Sequence, residues 1–329
     1  MRRVLVLVVL AACSSPANTD RKTGSALPPP PEPTTTPGDL LGGSAQEPDR
    51  ELPTTSEVRA RIERDCPTVT APYFFKVEKD GKVGHLLGTR HISVALTKFP
   101  RQVLDLLKAS DRLVFETDPD DPDVRPERPQ VPLREQLGPA LWERLETLIG
   151  SDRAALISDE TPAAAFVTML IINEDLGARL DDEIISLARR QKIPADGLES
   201  HAFQARLLDK LLDLRMLKST LTQTTRRQLE EEASTELREY CAGTDQTPGL
   251  DKVARDGLKK SGYSEKEIDA IDDMVVFERN RDWIPKIEKL FEKPKVAVVV
   301  GAGHLIGDQG VPKLLEKRGY KVTRLTPPN

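Results

Sequence analysis

The chain has 329 residues, of which 38% are hydrophobic and 31% charged, so it is long enough to bury a sizeable core in one large domain or two smaller ones. Its formal net charge is −5 and only 4% of its residues are aromatic. This acidic balance and the scarcity of stacking rings argue against a nucleic-acid partner.

Residues 1–12 have the form of a signal peptide. Two arginines precede the apolar run Val4 to Leu10, which is too short to cross a bilayer. Leu10-Ala-Ala-Cys13 has the pattern of a bacterial lipobox, in which Cys13 becomes the lipidated first residue, carrying acyl chains such as palmitate. This pattern predicts a lipoprotein anchored in the bacterial cell envelope, at the outer membrane or cell surface. A plain secretory signal with a chance cysteine is the alternative.

Residues 13–55 predict a disordered tether. They are rich in Pro, Thr and Gly and lack apolar periodicity, so they are expected to be extended and to hold the folded part away from a membrane. The folded domain is predicted to cover residues 56–329.

The first elements of this domain are strands and one helix. Tyr73 to Glu78 and Val83 to Leu87 flank Asp80-Gly81, which predicts a β-hairpin. Thr97 to Lys108 spaces its apolar residues along one helical face. Arg112 to Glu116 predicts a short strand that ends on a carboxylate.

The stretch of about 133–292 is expected to be helical. An apolar run after Thr161-Pro162 is too short for a membrane span and is interpreted as a buried helix. The other predicted helices are a leucine stripe from Leu133 to Leu148, Asp181 to Arg190, Gln204 to Leu217, the charged segment Arg226 to Tyr240, and a helix that starts at the capping box of Ser264.

The C-terminal segment returns to strands. Lys295 to Val300 is a continuous β-branched run, which suits a central parallel strand. A helix at Gln309 to Arg318 and a strand at Tyr320 to Leu325 follow. The fold class is therefore predicted as α/β, with a mostly parallel central sheet built from the N- and C-terminal segments and a large helical insertion or cap.

Two of the four histidines follow a strand-like run in the same way, as Gly88-x-x-His91 and Gly301-x-x-His304. Because the carboxyl ends of parallel strands meet at one edge of a sheet, these side chains are expected to lie near Glu116, which ends another strand. Imidazole and carboxylate are ligands for Zn, Mn, Co or Fe, and three of them leave coordination positions open for water or substrate. A single histidine after a strand is more often a hydrogen-bonded core or loop residue than a metal ligand, and it is the repeated context that favours a metal site here.

Several motifs together resemble the TraB/GumN family, which is related to the Tiki metalloproteases and to the erythromycin-esterase/ChaN-like fold. They are "LLGTRH", "LVFETD", "DGLES", "ERNRDW" and the long block "VVVGAGHLIGDQGVPKLLEKRGYKVTRL", in an order that covers about Pro72 to Leu325. The resemblance implies a metal-dependent peptidase in which His91, His304 and Glu116 bind a divalent ion, with Glu116 alternatively acting as the general base. It also implies a peptide or protein substrate.

Two further residues in these motifs are candidates for the catalytic site. Glu199 is interpreted either as a carboxylate behind the metal or facing the substrate, or as a charge at a helix start. Arg279 could clamp a substrate carboxylate or form an internal salt bridge. After "DGLES" the family commonly has acidic residues before the glutamine, whereas this chain has His201, which is interpreted as an exposed residue at a helix start.

With Cys13 lipidated, Cys66 and Cys241 could form a disulfide, since an exported chain meets an oxidising compartment, or could be two buried thiols. The leading functional prediction is an envelope-anchored, divalent-metal-dependent hydrolase of peptidase type. The alternative is a non-catalytic envelope lipoprotein that binds a peptide, or haem or iron. A metal site without a catalytic purpose is the third possibility.

Overall fold

A computed structural model of the chain describes residues 51–122, 128–244, 249, 250 and 252–326. The predicted signal peptide, Cys13 and most of the predicted tether lie outside these residues. The described part is a mixed α/β fold with a six-stranded, mostly parallel sheet and many helices.

The sheet has the strand order β4-β3-β5-β2-β1-β6. Strands β2, β5, β3 and β4 are parallel, whereas β1 runs antiparallel to both β2 and β6. All six residues of the central strand β5 are buried, which explains its continuous β-branched run, because both faces of the sheet are covered there. The strands are β1 Phe74–Lys79, β2 Lys82–Thr89, β3 Arg112–Thr117, β4 Ala195–Glu199, β5 Val296–Gly301 and β6 Lys321–Arg324.

The predicted hairpin is confirmed. Asp80 and Gly81 form the two-residue turn between β1 and β2, with φ of 51° and 76°. Positive φ at both positions is what a tight turn of this hand requires, and Asp-Gly adopts it readily. The turn fixes the register that pairs Phe74 with Leu87.

The helices cover both faces of the sheet and extend beyond it. A π-helical turn, Asp273–Phe277, joins two of them, and 3-10 turns occupy Leu96–Lys98 and Ala302–Leu305. The α-helices are α1 Thr55–Asp65, α2 Arg101–Lys108, α3 Leu133–Ile149, α4 Ser151–Leu156, α5 Pro162–Ile171, α6 Leu180–Gln191, α7 His201–Leu211, α8 Leu214–Gln223, α9 Arg226–Ala242, α10 Lys252–Lys260, α11 Glu265–Asp272, α12 Glu278–Leu290 and α13 Val311–Lys317.

Two features of the middle of the chain differ from the prediction. Strand β4 lies within the stretch that was expected to be helical; only Leu198 of its five residues is buried, so it carries no apolar alternation that sequence reasoning could detect. The single helix predicted from Gln204 to Leu217 is divided into α7 and α8. Asp213 causes the division, because its side chain accepts a hydrogen bond from the Met216 backbone nitrogen and caps α8.

The apolar residues form two main cores. The larger core packs the sheet against helices on both faces, and the second lies among α3, α5 and α8 and includes Phe166 and Met169 of α5. The prediction that this apolar run is a buried helix is therefore confirmed. No helix among the described residues has the length and hydrophobicity needed to span a bilayer.

A disulfide joins Cys66 to Cys241, with their Cα atoms 5.8 Å apart. Of the two alternatives for these cysteines, the structure contains the bonded one. The bond ties the segment after α1 to the end of α9. The adjacent Tyr240 donates its hydroxyl proton to the Gly88 carbonyl at 2.9 Å, so α9 is held against the end of β2.

Candidate functional site

The carboxyl ends of four parallel strands carry the candidate residues. Strand β2 leads to His91, β3 contains Glu116, β4 ends at Glu199, and β5 leads to His304. His91, Glu116 and His304 are each only 5% exposed. Glu116 Oε1 lies 3.7 Å from His304 Nε2, and His91 lines the same cleft as Glu116. The strand order thus brings together residues that lie far apart in the sequence.

His304 is fixed by one hydrogen bond at its Nδ1 atom. This atom lies 2.6 Å from the side-chain oxygen of Asn280, which can only accept, so Nδ1 carries the proton and Nε2 keeps a lone pair. The indole of Trp283 lies against the ring, with centroids 4.4 Å apart. Burial and the charge of Arg279 lower the pKa of His304 to about 3, so the imidazole is neutral.

His91 has a comparable arrangement. Its Nδ1 atom donates to Asp181 Oδ2, and its Nε2 atom is buried with no hydrogen-bond partner among the described residues. Burial alone would lower the pKa of His91, but the Asp181 carboxylate raises it above the ordinary value. One ring nitrogen of His91 is therefore oriented by a carboxylate while the other is left for a ligand.

The backbone around His91 is held by a buried ion pair. Arg90 contacts Glu174 through two hydrogen bonds of 2.6 and 2.9 Å, and it also donates to the carbonyl of Ile92 at 2.9 Å. Leu180 donates its backbone proton to the His91 carbonyl at 3.1 Å. The first turn of α6 therefore positions both the backbone of His91 and, through Asp181, its ring.

Glu116 is an ionised carboxylate in a buried place. Its Oε1 atom accepts from the Gly301 backbone nitrogen at 2.6 Å, and its Oε2 atom accepts from Arg279 at 2.7 Å and from Gln204 at 3.1 Å. Burial would raise the pKa of Glu116, but the charge of Arg279 and the hydrogen bond from the Gly301 backbone outweigh this effect and lower it to about 2.

Arg279 links the two candidate carboxylates. Its Nη2 atom donates to Glu116 and, at 2.5 Å, to Glu199, and its Nε atom donates to Glu199 at 3.2 Å. Its Nη1 atom lies 3.2 Å from His304 Nε2. Glu199 also accepts from the Trp283 indole at 3.1 Å. Of the two interpretations of Arg279, the structure contains the internal salt bridge, and Glu199 is its partner rather than a free charge at a helix start.

A cleft of about 520 Å³ opens beside His91 and Glu116. His201 begins α7 and lines this cleft; it is half-buried rather than exposed, and its Nδ1 atom has no partner among the described residues. The other polar residues that line the cleft are Thr117, Asp121, Asp181, Asp182, Ser186 and Arg189.

The donor atoms suit a divalent ion, but a guanidinium lies among them. His91 and His304 each have Nδ1 bonded to an acceptor, which is how metal-ligating histidines are commonly oriented, and Glu116 is ionised. Within the described ranges, no three His, Cys, Asp or Glu side chains are close enough together to hold a metal ion as they stand. A cation on His304 and Glu116 would have to displace Arg279 from its contacts with both.

Three residues of the site were not identified from the sequence: Asp181, Gln204 and Asn280. Asp181 is one of three acidic residues in the first turn of α6, a position that any helix favours, so nothing local distinguishes it. Asn280 lies within "ERNRDW" and Gln204 follows "DGLES". Asn280 lies inside a motif with a candidate residue and Gln204 lies shortly after one, and this was the one feature of the sequence that could have identified them.

A family model described as the TraB/PrgY/gumN family matches residues 73–324. The match runs from the start of β1 to the end of β6 and therefore includes every residue of the site described above. Comparisons with the curated proteins and with the solved structures gave no match.

Proposed function

Because the chain belongs to the TraB/PrgY/gumN family, we propose that it is a divalent-metal-dependent hydrolase that cleaves a peptide or protein substrate. One observation carries this proposal. Two imidazoles, each with Nδ1 bonded to an acceptor, lie with an ionised carboxylate at the ends of three adjacent parallel strands; Nε2 of His91 has no partner among the described residues, and Nε2 of His304 is contacted by Arg279.

His91, His304 and Glu116 would hold the ion, which could be Mn, Co, Zn or Fe. A bound divalent ion in such a site supplies Lewis acidity to a water molecule or a carbonyl oxygen. Asp181 and Asn280 keep the two imidazoles in the tautomer that offers Nε2. Burial of all three donors excludes bulk water from the reacting groups, which strengthens the electrostatic interactions among them.

Glu199 and Arg279 have roles that follow from their contacts. Arg279 makes two hydrogen bonds to Glu199, so it remains paired when it leaves Glu116 and His304. A guanidinium held in this way is suited to bind a substrate carboxylate or to stabilise negative charge that develops on the scissile carbonyl oxygen. Glu199 therefore acts by keeping Arg279 beside the reacting groups.

The same proposal includes the cellular location of the protein and the role of its helices around the site. We infer that residues 1–12 are a signal peptide, that Cys13 carries a lipid anchor in the bacterial cell envelope, and that residues 13–55 are a tether. The lipobox pattern supports this inference, and a disulfide is typical of an exported protein. The helices between β3 and β5 would then form a cap, because α6, α7 and α12 contribute Asp181, His201 and Arg279 to the site.

A non-catalytic binding protein is the second candidate function. The observation that favours it is the place of Arg279, which already neutralises Glu116 and occupies His304 Nε2 at 3.2 Å. With the guanidinium in this position, the cleft would capture a peptide, or haem or iron, without turnover.

The experiment uses a soluble form that begins at residue 14. Its metal content is measured after purification, and its cleavage of a peptide library is measured with Mn, Co, Zn and Fe in turn. We expect His91→Ala and His304→Ala to lose both metal and cleavage. His85→Gln is the matched control, because His85 is a half-buried histidine that stacks on Phe74 in the hairpin.

The outcomes separate the two candidates. Unchanged metal content and activity in both alanine variants, with circular dichroism showing folded protein, would remove the hydrolase assignment. A peptide that binds but is not cut with any of the four metals would favour the binding protein.

A further inference from the structure

Three buried polar atoms without partners lie on residues that line the cleft. They are His91 Nε2, Asp181 Oδ1 and His201 Nδ1, and none of them has a hydrogen-bond partner among the described residues. His91 as a whole is 5% exposed. Because buried polar groups are almost always paired in native proteins, and His91 Nε2 is assigned above to the metal ion, Asp181 Oδ1 and His201 Nδ1 point to a further group with N–H donors that binds in this cleft.

The charges along the cleft are unbalanced. Asp182 is paired with Arg179 at 2.9 Å and Arg189 with Asp120 at 3.1 Å. Glu116 is neutralised by the guanidinium described above. These pairs leave two other carboxylates that line the cleft.

Asp121 and Asp181 are those two carboxylates. Asp121 accepts from the His201 backbone nitrogen at 3.1 Å and forms no ion pair with a described residue. Among the described residues, the one ion-pair partner of Asp181 is the ring of His91, which contacts Oδ2, and the Oδ1 atom of Asp181 has no hydrogen-bond partner there.

The position of Asp181 and His201 at the starts of their helices does not explain why their side-chain atoms are unpaired. A carboxylate in the first turn of α6 stabilises the helix wherever its side chain points. That effect gives no reason for Asp181 Oδ1 to lie buried without a donor, or for His201 to present an unpaired ring nitrogen from a different helix. A ligand with several N–H donors would satisfy both.

We propose that this part of the cleft, defined by Asp121, Asp181 and His201, is a subsite for a positively charged ammonium or guanidinium group of the peptide substrate. The inference rests on the proposed function, since it names the substrate class of the same site. An ammonium has three donors and no acceptor, which matches carboxylate oxygens and a ring nitrogen that accepts a hydrogen bond. A volume of about 520 Å³ is within the range of sites for small ligands.

The test measures peptide binding to the metal-free protein, so that it does not depend on turnover. One peptide sequence is prepared with a free amino terminus, with an acetylated amino terminus, with a lysine side chain, and with that lysine acetylated. We expect removal of the positive charge to weaken binding roughly 10-fold, the effect of one charge-assisted hydrogen bond. The two pairs of peptides distinguish an amino terminus from a side chain as the group that is bound.

Asp121→Asn is the variant, because an asparagine can still accept from the His201 backbone nitrogen while the charge is lost. We expect it to remove most of the preference for the charged peptide and to leave binding of the acetylated peptide unchanged. Asp181→Asn is the second variant, in case Asp121→Asn does not fold, because its amide oxygen can still accept from His91 Nδ1. Asp105→Asn on the exposed face of α2 is the matched control, and it should preserve the preference.

Equal binding of charged and acetylated peptides, or equal loss of both in the variants, would overturn the subsite. The two proposals fail separately. Cleavage without any preference for the charged peptides would retain the hydrolase and reject the subsite. A preference in binding without cleavage under any metal would retain the subsite and reject the hydrolase.

Discussion

His304 donates its Nδ1 proton to Asn280 across 2.6 Å, although the first lies in the turn after β5 and the second on α12. The amide of Asn280 in turn donates to the carbonyls of His304 and Gln309, at 3.3 and 2.9 Å. These two bonds fix which side-chain atom of Asn280 faces the ring. One buried asparagine therefore sets the tautomer of the imidazole.

Asn280→Ala should release this constraint. Because the supporting residues of metal-ligating histidines typically contribute 10–100-fold to affinity, we expect divalent-metal affinity to fall by roughly that factor. Competition with a chromogenic chelator measures it. Asn173→Ala is the control, since Asn173 is also buried but bonds to Arg61 away from the site. An equal loss of affinity in both variants would show that the effect is one of general stability.

Arg279→Ala should destabilise the fold strongly. The change leaves Glu116 and Glu199 buried without a cation, and breaking a buried pair in this way costs about 3–5 kcal/mol. Urea denaturation measures the free energy of unfolding. By comparison, Arg227→Ala removes an exposed pair with Glu231 and should cost about 0.5 kcal/mol or less. A loss below about 1 kcal/mol for Arg279→Ala would contradict the assigned ion pairs.

Metal-free protein should lose stability between pH 6.5 and 4.5 because of His304. Burial and Arg279 hold its pKa at about 3 in the folded state, whereas the ordinary value is 6.5. In this interval the unfolded chain binds a proton that the folded chain does not, so stability falls as the pH falls. The expected loss is about 2–3 kcal/mol, at about 1.4 kcal/mol per pH unit.

Glu116 adds a second acid step at lower pH. Its folded pKa of about 2 lies below the ordinary 4.5, so its contribution is complete above pH 4.5 and is lost as the pH falls towards 2. Urea denaturation at several pH values, with wild type and His304→Gln, separates the two groups. The variant should have a flatter profile between pH 6.5 and 4.5; the same slope in both proteins would refute the assignment to His304.

Reduction of the Cys66–Cys241 bond should lower stability by about 5 kcal/mol on the chain-entropy model, because the two cysteines are 175 residues apart. Thermal unfolding with and without a reductant measures this change. The double variant Cys66→Ser, Cys241→Ser should resemble the reduced protein and should not respond to the reductant. A melting temperature that is insensitive to the reductant in wild type would show that the bond is not formed in solution.

The strands that position the site could be predicted from the sequence because each leaves a local pattern. Strand β5 is buried on both faces, so its sequence is a continuous apolar run rich in β-branched residues. The hairpin turn requires residues that adopt positive φ, such as Asp80-Gly81. The glycines that precede His91 and His304 mark where the chain leaves the sheet. These patterns were enough to indicate one edge of the sheet as the site.

The contacts within the site could not be predicted in the same way. Asp181 meets His91, and Arg279 meets Glu116, only after the strands and helices have packed, and no periodicity records such pairings. Arg279 had two interpretations until its neighbours were known. Strand β4 escaped prediction because it is short and only Leu198 is buried.

The strand order also determines when the sheet can form. Strand β5 lies between β2 and β3, yet it is synthesised after nearly all the other strands, and Gly84 of β2 pairs with Val296 of β5. Until the segment that contains residue 296 is available, the hairpin and the β3–β4 pair have no common neighbour and remain separate. Assembly of the sheet therefore waits for almost the whole polypeptide, and the long sequence separation between its central partners makes that step slow.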